Sequence, residues 1–311
     1  MYYILFGCLL DLLIGDPHNP FHPVRLIAAL ACAIEAVTRK LCGRFLKAAG
    51  VITWVAAAGI SFGLAFLFLR LASFHPISRF LAEGTLVYFC ISPRGLFDEA
   101  RRVNSALQEQ DLLTARKRLS MIVGRDTDAL NETEIRRAVI ETVAENFSDG
   151  VAAPLLFIAV GGPACGILYK AVNTMDSLFG YRDRKYRDFG WFPARMDDFF
   201  NLIPARISAF LIIPAAFFCG LSGRNAARIW CRDRYCHLSP NSAHPEAAFA
   251  GALGITMGGT HTYGGIPVEK PTIGDNRRPV DERRLNESLW LLTVSTLLCV
   301  LFSCGLHICI Y

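Results

Sequence analysis

The chain has 311 residues, of which 53% are hydrophobic and 19% are charged. Soluble domains usually carry about 25% charged and about 45–50% apolar residues. Here the charged residues are concentrated between long apolar runs, which excludes an ordinary soluble domain and is typical of a helical membrane protein with polar loops. The net charge of +5 comes without a long basic tract or a known nucleic-acid motif, so we expect no nucleic-acid binding.

The apolar runs predict four to six membrane segments, some of them re-entrant. In chain order they are 1–14, 48–72, 80–91, 151–172, 207–221 and 289–310. The second and the last are long enough to cross a hydrocarbon core about 30 Å thick. The fourth is interrupted by Gly161-Gly162-Pro163, and the fifth contains Pro214. Irregular backbone at membrane depth is tolerated when it is buried in protein, so these breaks could allow re-entrant half-helices.

We therefore expect an all-α fold in which residues 1–311 form a single integral membrane domain. Its polar, motif-bearing stretches are 94–150, 173–206 and 224–288. In the first of them, Asn131 and Glu134 predict a capping box at the start of a helix. Ile135, Val139 and Val143 follow at helical spacing, which indicates a buried face.

The segment from Gly15 to Arg25 is the first motif. Two histidines four residues apart, His18 and His22, would suit a metal site on a helix, but three prolines in the segment exclude that helix. A turn that presents Asp16 and Arg25 to a substrate is the functional interpretation. A polar turn that merely ends a membrane segment explains the histidines equally well.

Two features of the first polar stretch suit phosphate and proton chemistry. Gly124, Arg125 and Asp126 would form a loop with exposed amides, a cation and a carboxylate, a combination found around a phosphate and its magnesium. Glu141 and Glu145 lie on one helix face close to the following apolar run, and either could act as a general base. The alternative is a solvated helix face with an Arg137–Glu141 ion pair.

The second polar stretch is rich in oxygen ligands and cations near apolar runs. Its carboxylates and amide are Asp176, Asp197, Asp198 and Asn201, and its cations are Lys170, Arg195 and Arg206. Hard oxygen ligands are those that magnesium prefers, and the cations could bind phosphate oxygens. Carboxylates near membrane depth are costly, which favours a functional role. Interfacial charges without such a role are the alternative.

The third polar stretch combines His237 and Asn241 with a glycine-rich segment and Lys270. The glycines match neither a P-loop nor a dinucleotide-binding loop. They could let the backbone approach an anion, or Gly251 and Gly254 could serve tight helix packing. His237 could be a general base or a structural histidine.

These stretches resemble the CobD/CbiB family. The matching segments are GDPHNPFHPVRLI from Gly15, IVGRDT from Ile122, VIETVAENFSDGVAAPL from Val139, YKAVNTMDSLFGYRDRKYRDFGWFPARMDDFFNLIPAR from Tyr169, HLSPNSAHPEAAFAGALG from His237 and KPTIGD from Lys270. They extend over nearly the whole chain, and the segment from Tyr169 is highly specific. Ala243 departs from the pattern, since the family carries glycine after SPNS.

The resemblance implies an adenosylcobinamide-phosphate synthase, a multi-pass enzyme of the cytoplasmic (inner) membrane of a prokaryote. Such an enzyme joins adenosylcobyric acid to (R)-1-aminopropan-2-ol or its O-phosphate through an amide bond, with ATP and Mg²⁺. Membrane lipid and other cobalamin-pathway enzymes are the partners that it implies. It does not assign roles to individual residues.

For such a ligase, our hypotheses divide the site residues into three groups. Asp176, Asp197, Asp198 and Asn201 hold magnesium, with Asp176 also a catalytic candidate. Glu141, Glu145 and His237 are candidates for the base. The substrate and phosphate ligands are Asp16, Arg25, Arg125, Lys170, Arg195, Arg206, Asn241 and Lys270.

The aromatic residues Trp191, Phe192 and Phe199 could hold the corrinoid ring or form an interfacial belt. Two other functions remain open from the sequence. One is a magnesium-dependent membrane transferase acting on a lipid diphosphate, and the other is a corrinoid transporter or scaffold.

Overall fold

The computed structural model describes residues 1–16, 22–181 and 183–311. In these residues the helices are α1 (Tyr2–Ile14), α2 (Pro23–Cys42), α3 (Leu46–Ala72), α4 (Pro76–Cys90), α5 (Pro93–Gln108), α6 (Leu112–Leu119), α7 (Glu132–Phe147), α8 (Ala153–Gly161), α9 (Pro163–Phe179), α10 (Trp191–Phe200), α11 (Leu202–Phe218), α12 (Gly223–Asp233), α13 (Ala243–Leu253) and α14 (Glu282–Ile310). A π-helical turn, Ser148–Ala152, joins α7 to α8. The predicted helical fold is confirmed. The sequence did not predict an antiparallel hairpin of β1 (Thr256–Tyr263) and β2 (Ile266–Gly274).

Three helical runs in the described residues are long and apolar enough to cross a membrane: Leu46–Ala72, Glu132–Gly161 and Glu282–Ile310. The pair α10 and α11 adds a fourth if its break at Asn201 lies within one span. The three runs are one fewer than the lower end of the predicted four to six segments, and the bent pair would bring the number to four. The first apolar run forms only the 13-residue α1, which is short for a span.

The Gly-Gly-Pro sequence interrupts the helix as predicted. Gly162 separates α8 from α9 with a φ of +78°, and α8 packs against α9. A Cβ atom on Gly166 would lie 2.6 Å from Ile158 Cγ1, so these two helices approach closely. Pro214, in contrast, lies inside the continuous α11, as proline can in membrane helices.

The described residues cluster into two compact units. Unit 1 contains Met1–Ser92, Ala153–Asn201 and Val300–Tyr311, and unit 2 contains Pro93–Ala152 and Leu202–Cys299. In unit 1, α9 packs against α2, α3 and α4. Small residues allow close helix packing there, as is usual in membrane bundles. In one example, a Cβ atom on Gly7 of α1 would lie 2.5 Å from Val87 Cβ of α4.

Large apolar side chains are exposed along α3. Leu64 is 61% exposed and Phe68 is 47% exposed. The helix is 27 residues long and carries almost no charged residues. Exposed apolar surface of this extent is expected where a helix contacts lipid. The fold is therefore that of a helical membrane protein.

In unit 2, α13 is the central helix. Every residue of α13 is buried, and the helix packs against α7, α11, α12 and the hairpin. A Cβ atom on Gly251 would lie 2.6 Å from the Asn225 carbonyl of α12, so this glycine serves helix packing. Gly254 ends α13 in the left-handed region. Ala243, the departure from the family pattern, is the first residue of α13, where alanine is readily accommodated.

Helix α7 begins with the predicted capping box. The Asn131 side chain accepts a hydrogen bond from Glu134 N at 3.0 Å, and Glu134 Oε2 accepts from Asn131 N at 2.8 Å. Ile135, Val139 and Val143 are fully buried, as their spacing predicted. Local sequence signals therefore place α7, with Glu141 and Glu145 on a different face.

Candidate active site

Unit 2 contains a polar cavity of about 130 Å³. The residues that line it come from α7, from the loop before α7, from the start of α13 and its preceding loop, and from the hairpin. Its titratable side chains are Arg125, Glu141, Glu145, His237, Glu246, His261, Tyr263 and Lys270. Five of these are predicted site residues, which the fold brings together from distant parts of the chain.

Glu141 is held by two groups of donors. Its Oε2 accepts a hydrogen bond from Arg125 Nη2 at 2.7 Å, and its Oε1 accepts from Gly258 N of the hairpin at 2.8 Å. The Arg125 and Glu141 side chains are 8% and 13% exposed. The Arg137–Glu141 pair considered above is therefore replaced by a pair with Arg125.

His261 lies on the other side of Arg125. Nη1 of Arg125 is 2.6 Å from both ring nitrogens of His261. Burial, followed by the charges of Arg125 and Lys270, lowers the pKa of His261 to about 4. The ring is therefore neutral at pH 7 and can accept a hydrogen bond from the guanidinium.

Glu145, one helical turn after Glu141, is less constrained. Its Oε1 accepts a hydrogen bond from the Ser242 hydroxyl at 3.2 Å. Its second oxygen has no hydrogen-bonding partner among the described residues. Glu145 is therefore the carboxylate on this face of α7 that retains acceptor capacity toward the cavity.

His237 accepts a hydrogen bond at Nδ1 from Ser239 N, at 3.0 Å. Burial is the largest cause that lowers the pKa of His237, Lys270 lowers it further, and Glu145 opposes them. In the neutral ring the proton is then on Nε2, because Nδ1 is the acceptor. This arrangement makes His237 a hydrogen-bond donor toward its surroundings.

Lys270, His261 and Tyr263 share one face of the hairpin. Lys270 pairs with Gly259 across the strands, and Gly259, His261 and Tyr263 alternate along β1. Lys270 Nζ lies 5.8 Å from the centroid of the Tyr263 ring. Burial lowers the pKa of Lys270, but Tyr263 and Glu145 outweigh it and the net shift is upward. Lys270 therefore remains a cation.

The loop before α7 anchors the hairpin. The Asp126 carboxylate accepts hydrogen bonds from Gly264 N at 3.0 Å and Gly265 N at 2.8 Å. Asp126 N donates to the Thr262 carbonyl at 2.8 Å. Asp126 therefore holds the hairpin turn, whereas Arg125 of the same motif lines the cavity.

Glu246 also lines the cavity. It lies in the first turn of α13 and is 6% exposed. Burial is the first cause that raises its pKa well above the ordinary value, and the charges of Glu145 and Glu141 follow. Glu246 belongs to the segment from His237 that resembles the CobD/CbiB family, but it was not among the predicted site residues.

Unit 1 contains a separate polar cluster. The Tyr169 hydroxyl donates to Asn201 Oδ1 at 2.9 Å, and Asn201 Nδ2 donates to Asp197 Oδ2 at 3.0 Å. Asn173 Nδ2 donates to Asp197 Oδ1 at 3.4 Å. Two of the predicted magnesium ligands, Asp197 and Asn201, are thus in contact.

Within the described ranges, no three His, Cys, Asp or Glu side chains are arranged to hold a metal ion. Magnesium bound with a nucleotide usually takes one or two carboxylates, with water and phosphate completing its shell. The oxygen donors of Asp176, Asp197 and Asp198 suit that kind of binding. The magnesium assignment stays a prediction.

The remaining predicted residues occupy varied settings. Asp16 Oδ1 lies 3.3 Å from His22 Nε2, and Arg25 is exposed in the first turn of α2. Pro17, His18 and Pro20 lie outside the described residues.

In unit 1, Lys170 is half-buried on α9 and Arg195 is exposed on α10. In unit 2, Arg206 donates to the Leu202 carbonyl at 2.6 Å, and Asn241 is buried.

The three aromatic residues proposed for the corrinoid differ in exposure. Phe192 packs against Trp54 with a centroid distance of 5.4 Å. Trp191 and Phe199 are exposed, and Lys47 Nζ lies 5.6 Å from the Trp191 ring. An exposed aromatic residue beside a lysine is typical of a membrane interface, which favours the belt interpretation for Trp191.

Three titratable cavity residues were not predicted from the sequence: Glu246, His261 and Tyr263. The pair Gly264-Gly265 between two β-prone runs is a hairpin signal. With a hairpin at this position, the alternation of side chains along β1 places His261 and Tyr263 on one face. No local signal connects Glu246 with α7.

Comparison with known proteins identifies the family. A family profile described as "CobD/Cbib protein" matches residues 4–292. The chain belongs to the CobD/CbiB family. A relative from Clostridium perfringens, named Cobalamin biosynthesis protein CobD, is 51% identical over 282 residues, 90% of each chain.

Other CobD/CbiB relatives match the sequence of this chain over similar lengths. One from Geobacter metallireducens, also named Cobalamin biosynthesis protein CobD, is 49% identical and covers 89% of this chain and 87% of its own. One from Salmonella typhi, named Cobalamin biosynthesis protein CbiB, is 44% identical and covers 97% of this chain and 98% of its own. No solved structure matches the chain.

Proposed function

We propose that this chain acts in cobalamin biosynthesis as an amide-forming ligase. Its substrates would be adenosylcobyric acid and (R)-1-aminopropan-2-ol or the O-phosphate of that amine, with ATP and Mg²⁺. The observation that carries the proposal is the cavity of unit 2, which combines a carboxylate with acceptor capacity, Glu145, and a half-buried cation, Lys270.

Amide formation from a carboxylate at neutral pH requires activation of the carboxylate. ATP with magnesium would supply a phosphoryl group, giving an acyl phosphate from which the amine displaces phosphate. The oxygen donors of Asp176, Asp197 and Asp198 suit the metal. If Asp197→Ala and Asp198→Ala both retain full activity, this part of the proposal is wrong.

The amine must lose a proton before it attacks the acyl carbon. Glu145 is the best-placed base, since one of its oxygens is free to accept a proton from a bound ammonium group. Both oxygens of Glu141 are engaged by Arg125 and Gly258. His237 accepts at Nδ1 from Ser239 N, which favours a donor role for Nε2 over a role as base.

Lys270 and Arg125 would bind the anionic groups of the substrates. A cation that stays protonated stabilises the negative charge of a phosphate or of the attacked carbonyl oxygen. The charge of Arg125 is shared with Glu141, so Lys270 is the stronger candidate for this role.

The size of the cavity supports binding of the small substrate there. Its volume of about 130 Å³ is well below the roughly 300–1,000 Å³ of pockets that enclose drug-sized ligands. A three-carbon amine or its phosphate matches such a volume, whereas a corrin ring does not. We propose that adenosylcobyric acid inserts only its reacting carboxylate arm.

The test is an assay of the purified full chain in nanodiscs. Adenosylcobyric acid and MgATP are supplied with the free amine or with its O-phosphate, and corrinoid mass and ATP consumption are followed. We expect a mass gain equal to the amide and loss of ATP that both depend on the amine. Preference for one of the two amines identifies the substrate.

A folded protein that leaves the corrinoid unchanged contradicts the proposal. Consumption of a prenyl diphosphate by the same preparation would instead support a lipid transferase. Corrinoid binding without turnover, with all substrates present, would support a transporter or scaffold.

A further inference from the structure

Glu246 is a buried carboxyl group in the cavity, and the proposed reaction assigns it no role. It lies in the first turn of α13 and is 6% exposed. It forms no ion pair with any residue that the structure describes. Burial of an ionised carboxylate without a paired cation costs free energy, which favours the protonated form.

The surroundings of Glu246 are already balanced in charge without it. The titratable groups that share the cavity with it are Glu141 and Glu145 from α7, Arg125 and His237 from loops, and His261, Tyr263 and Lys270 from the hairpin. Arg125 is paired with Glu141 at 2.7 Å, and Lys270 balances Glu145. His261 is neutral because burial and Arg125 lower its pKa.

An ionised Glu246 would place a third carboxylate in this set. Like charges in one site disfavour the second ionisation, and burial acts in the same direction. On α12, which also packs against α13, Arg232 is paired with Asp233 and Asp275, and Arg228 with Asp275. Lys270 and Arg125 act in the opposite direction on the pKa of Glu246, but burial and the charges of Glu145 and Glu141 outweigh them.

We propose that Glu246 is a neutral carboxylic acid at pH 7 and that its O–H donates a hydrogen bond to an oxygen of the acyl substrate. The inference rests on the proposed amide-forming function of the same cavity. When the amine attacks, negative charge develops on the carbonyl oxygen, and a fixed donor stabilises that charge. A buried acid that stays neutral can serve as such a donor. The proton remains on Glu246 throughout.

Two substitutions separate donor chemistry from packing. Glu246→Met keeps the approximate size of the side chain but removes the donor, and we expect kcat to fall about 100-fold with little change in KM. Glu246→Gln restores an uncharged donor, and we expect it to recover activity to within about tenfold of the parent. Thermal unfolding of both variants in nanodiscs shows that each is folded.

Two kinetic results would overturn the inference. If folded Glu246→Met retains its kcat, the side chain has only a packing role. If folded Glu246→Gln is as slow as Glu246→Met, an ionised or proton-transferring Glu246 is required.

A second measurement needs no turnover. The infrared difference spectrum of the parent protein minus Glu246→Gln at pH 7 reports the protonation state directly. We expect the carbonyl band of a protonated carboxylic acid, and carboxylate bands in its place would overturn the inference. Because no corrinoid is needed, this result stands even if the ligase assay fails.

Discussion

Glu141 and Glu145 occupy the same face of α7 but have different environments. Glu141 is held by Arg125 and by the backbone of the hairpin. Glu145 accepts one hydrogen bond from Ser242. Two carboxylates one helical turn apart therefore suit different tasks, with Glu141 as a structural anchor and Glu145 as the proposed general base.

The pair Glu145→Gln and Glu141→Gln tests this division. We expect Glu145→Gln to lower kcat at least about 100-fold with an unchanged unfolding temperature, because it removes the proposed general base. Glu141→Gln leaves the buried Arg125 without its counter-charge, which we expect to destabilise the fold by about 3 kcal/mol. Steady-state kinetics and thermal unfolding measure the two effects, and the reverse pattern would contradict the assignment.

His261 should make stability depend on pH. Its pKa of about 4 lies below the ordinary 6.5, so the unfolded chain binds the proton first as the pH falls. The contribution of His261 is therefore fully present above pH 6.5 and is lost as the pH falls toward 4. Glu246, with its raised pKa, contributes with the opposite sign, so the parent must be compared with a variant.

We expect His261→Gln to lose less stability than the parent protein between pH 7 and pH 5. Chemical unfolding at the two pH values measures the difference. His244, whose pKa is lowered to about 4 by burial and by Arg206, is unchanged in both proteins and cancels. Equal losses in the two proteins would show that burial and Arg125 do not lower the pKa of His261 in the folded protein.

At the scale of elements, the hairpin completes one wall of the cavity. Gly264 and Gly265 form its two-residue turn with φ values of +56° and +79°, the combination that a type I′ turn requires. Asp126 then fixes the turn through two backbone hydrogen bonds. The placement of Lys270 therefore depends on this turn.

Gly265→Ala should loosen the hairpin. Nothing lies within 4 Å of a Cβ atom at this position, so the expected cost of about 1 kcal/mol comes from the left-handed backbone alone. Hydrogen exchange should be faster in β1 and β2, and KM should rise. Gly63→Ala in α3, where a Cβ atom also meets nothing, is the matched control and should leave the hairpin unchanged.

At the scale of the whole molecule, exposed apolar side chains occur both on a candidate span and outside the spans. Leu64 of α3 is 61% exposed, and Leu113 of α6 is 78% exposed. If α3 crosses the membrane, Leu64 contacts lipid. Leu113 lies on a polar eight-residue helix, for which we expect contact with water.

Leu64→Lys and Leu113→Lys distinguish these environments. A lysine near the centre of a span costs about 3 kcal/mol on insertion, so Leu64→Lys should reduce the amount of protein recovered in carbonate-washed membranes. Leu113→Lys should leave recovery unchanged. Equal recovery of the two variants would contradict a lipid-facing Leu64.

The helical membrane architecture and the position of α7 could be predicted from the amino-acid sequence. These features depend on local properties: the lengths of the apolar runs, the capping box at Asn131 and the spacing of Glu141 and Glu145. Such signals extend over a few residues, so they can be read without knowing the fold. The helix break at Gly162 was likewise predicted from a local signal, the Gly-Gly-Pro sequence.

The set of side chains that share the cavity could not be predicted in this way, because it depends on contacts between distant segments. Glu141 pairs with Arg125 instead of the nearer Arg137, and Asp126 binds a hairpin turn instead of facing the cavity. Lys270 and His261 reach α7 only because the hairpin folds back onto it. Glu246 enters the cavity through the packing of α13 against α7. Apart from the Arg125–Glu141 pair, these contacts join residues about 100 or more positions apart, and no local periodicity encodes any of them.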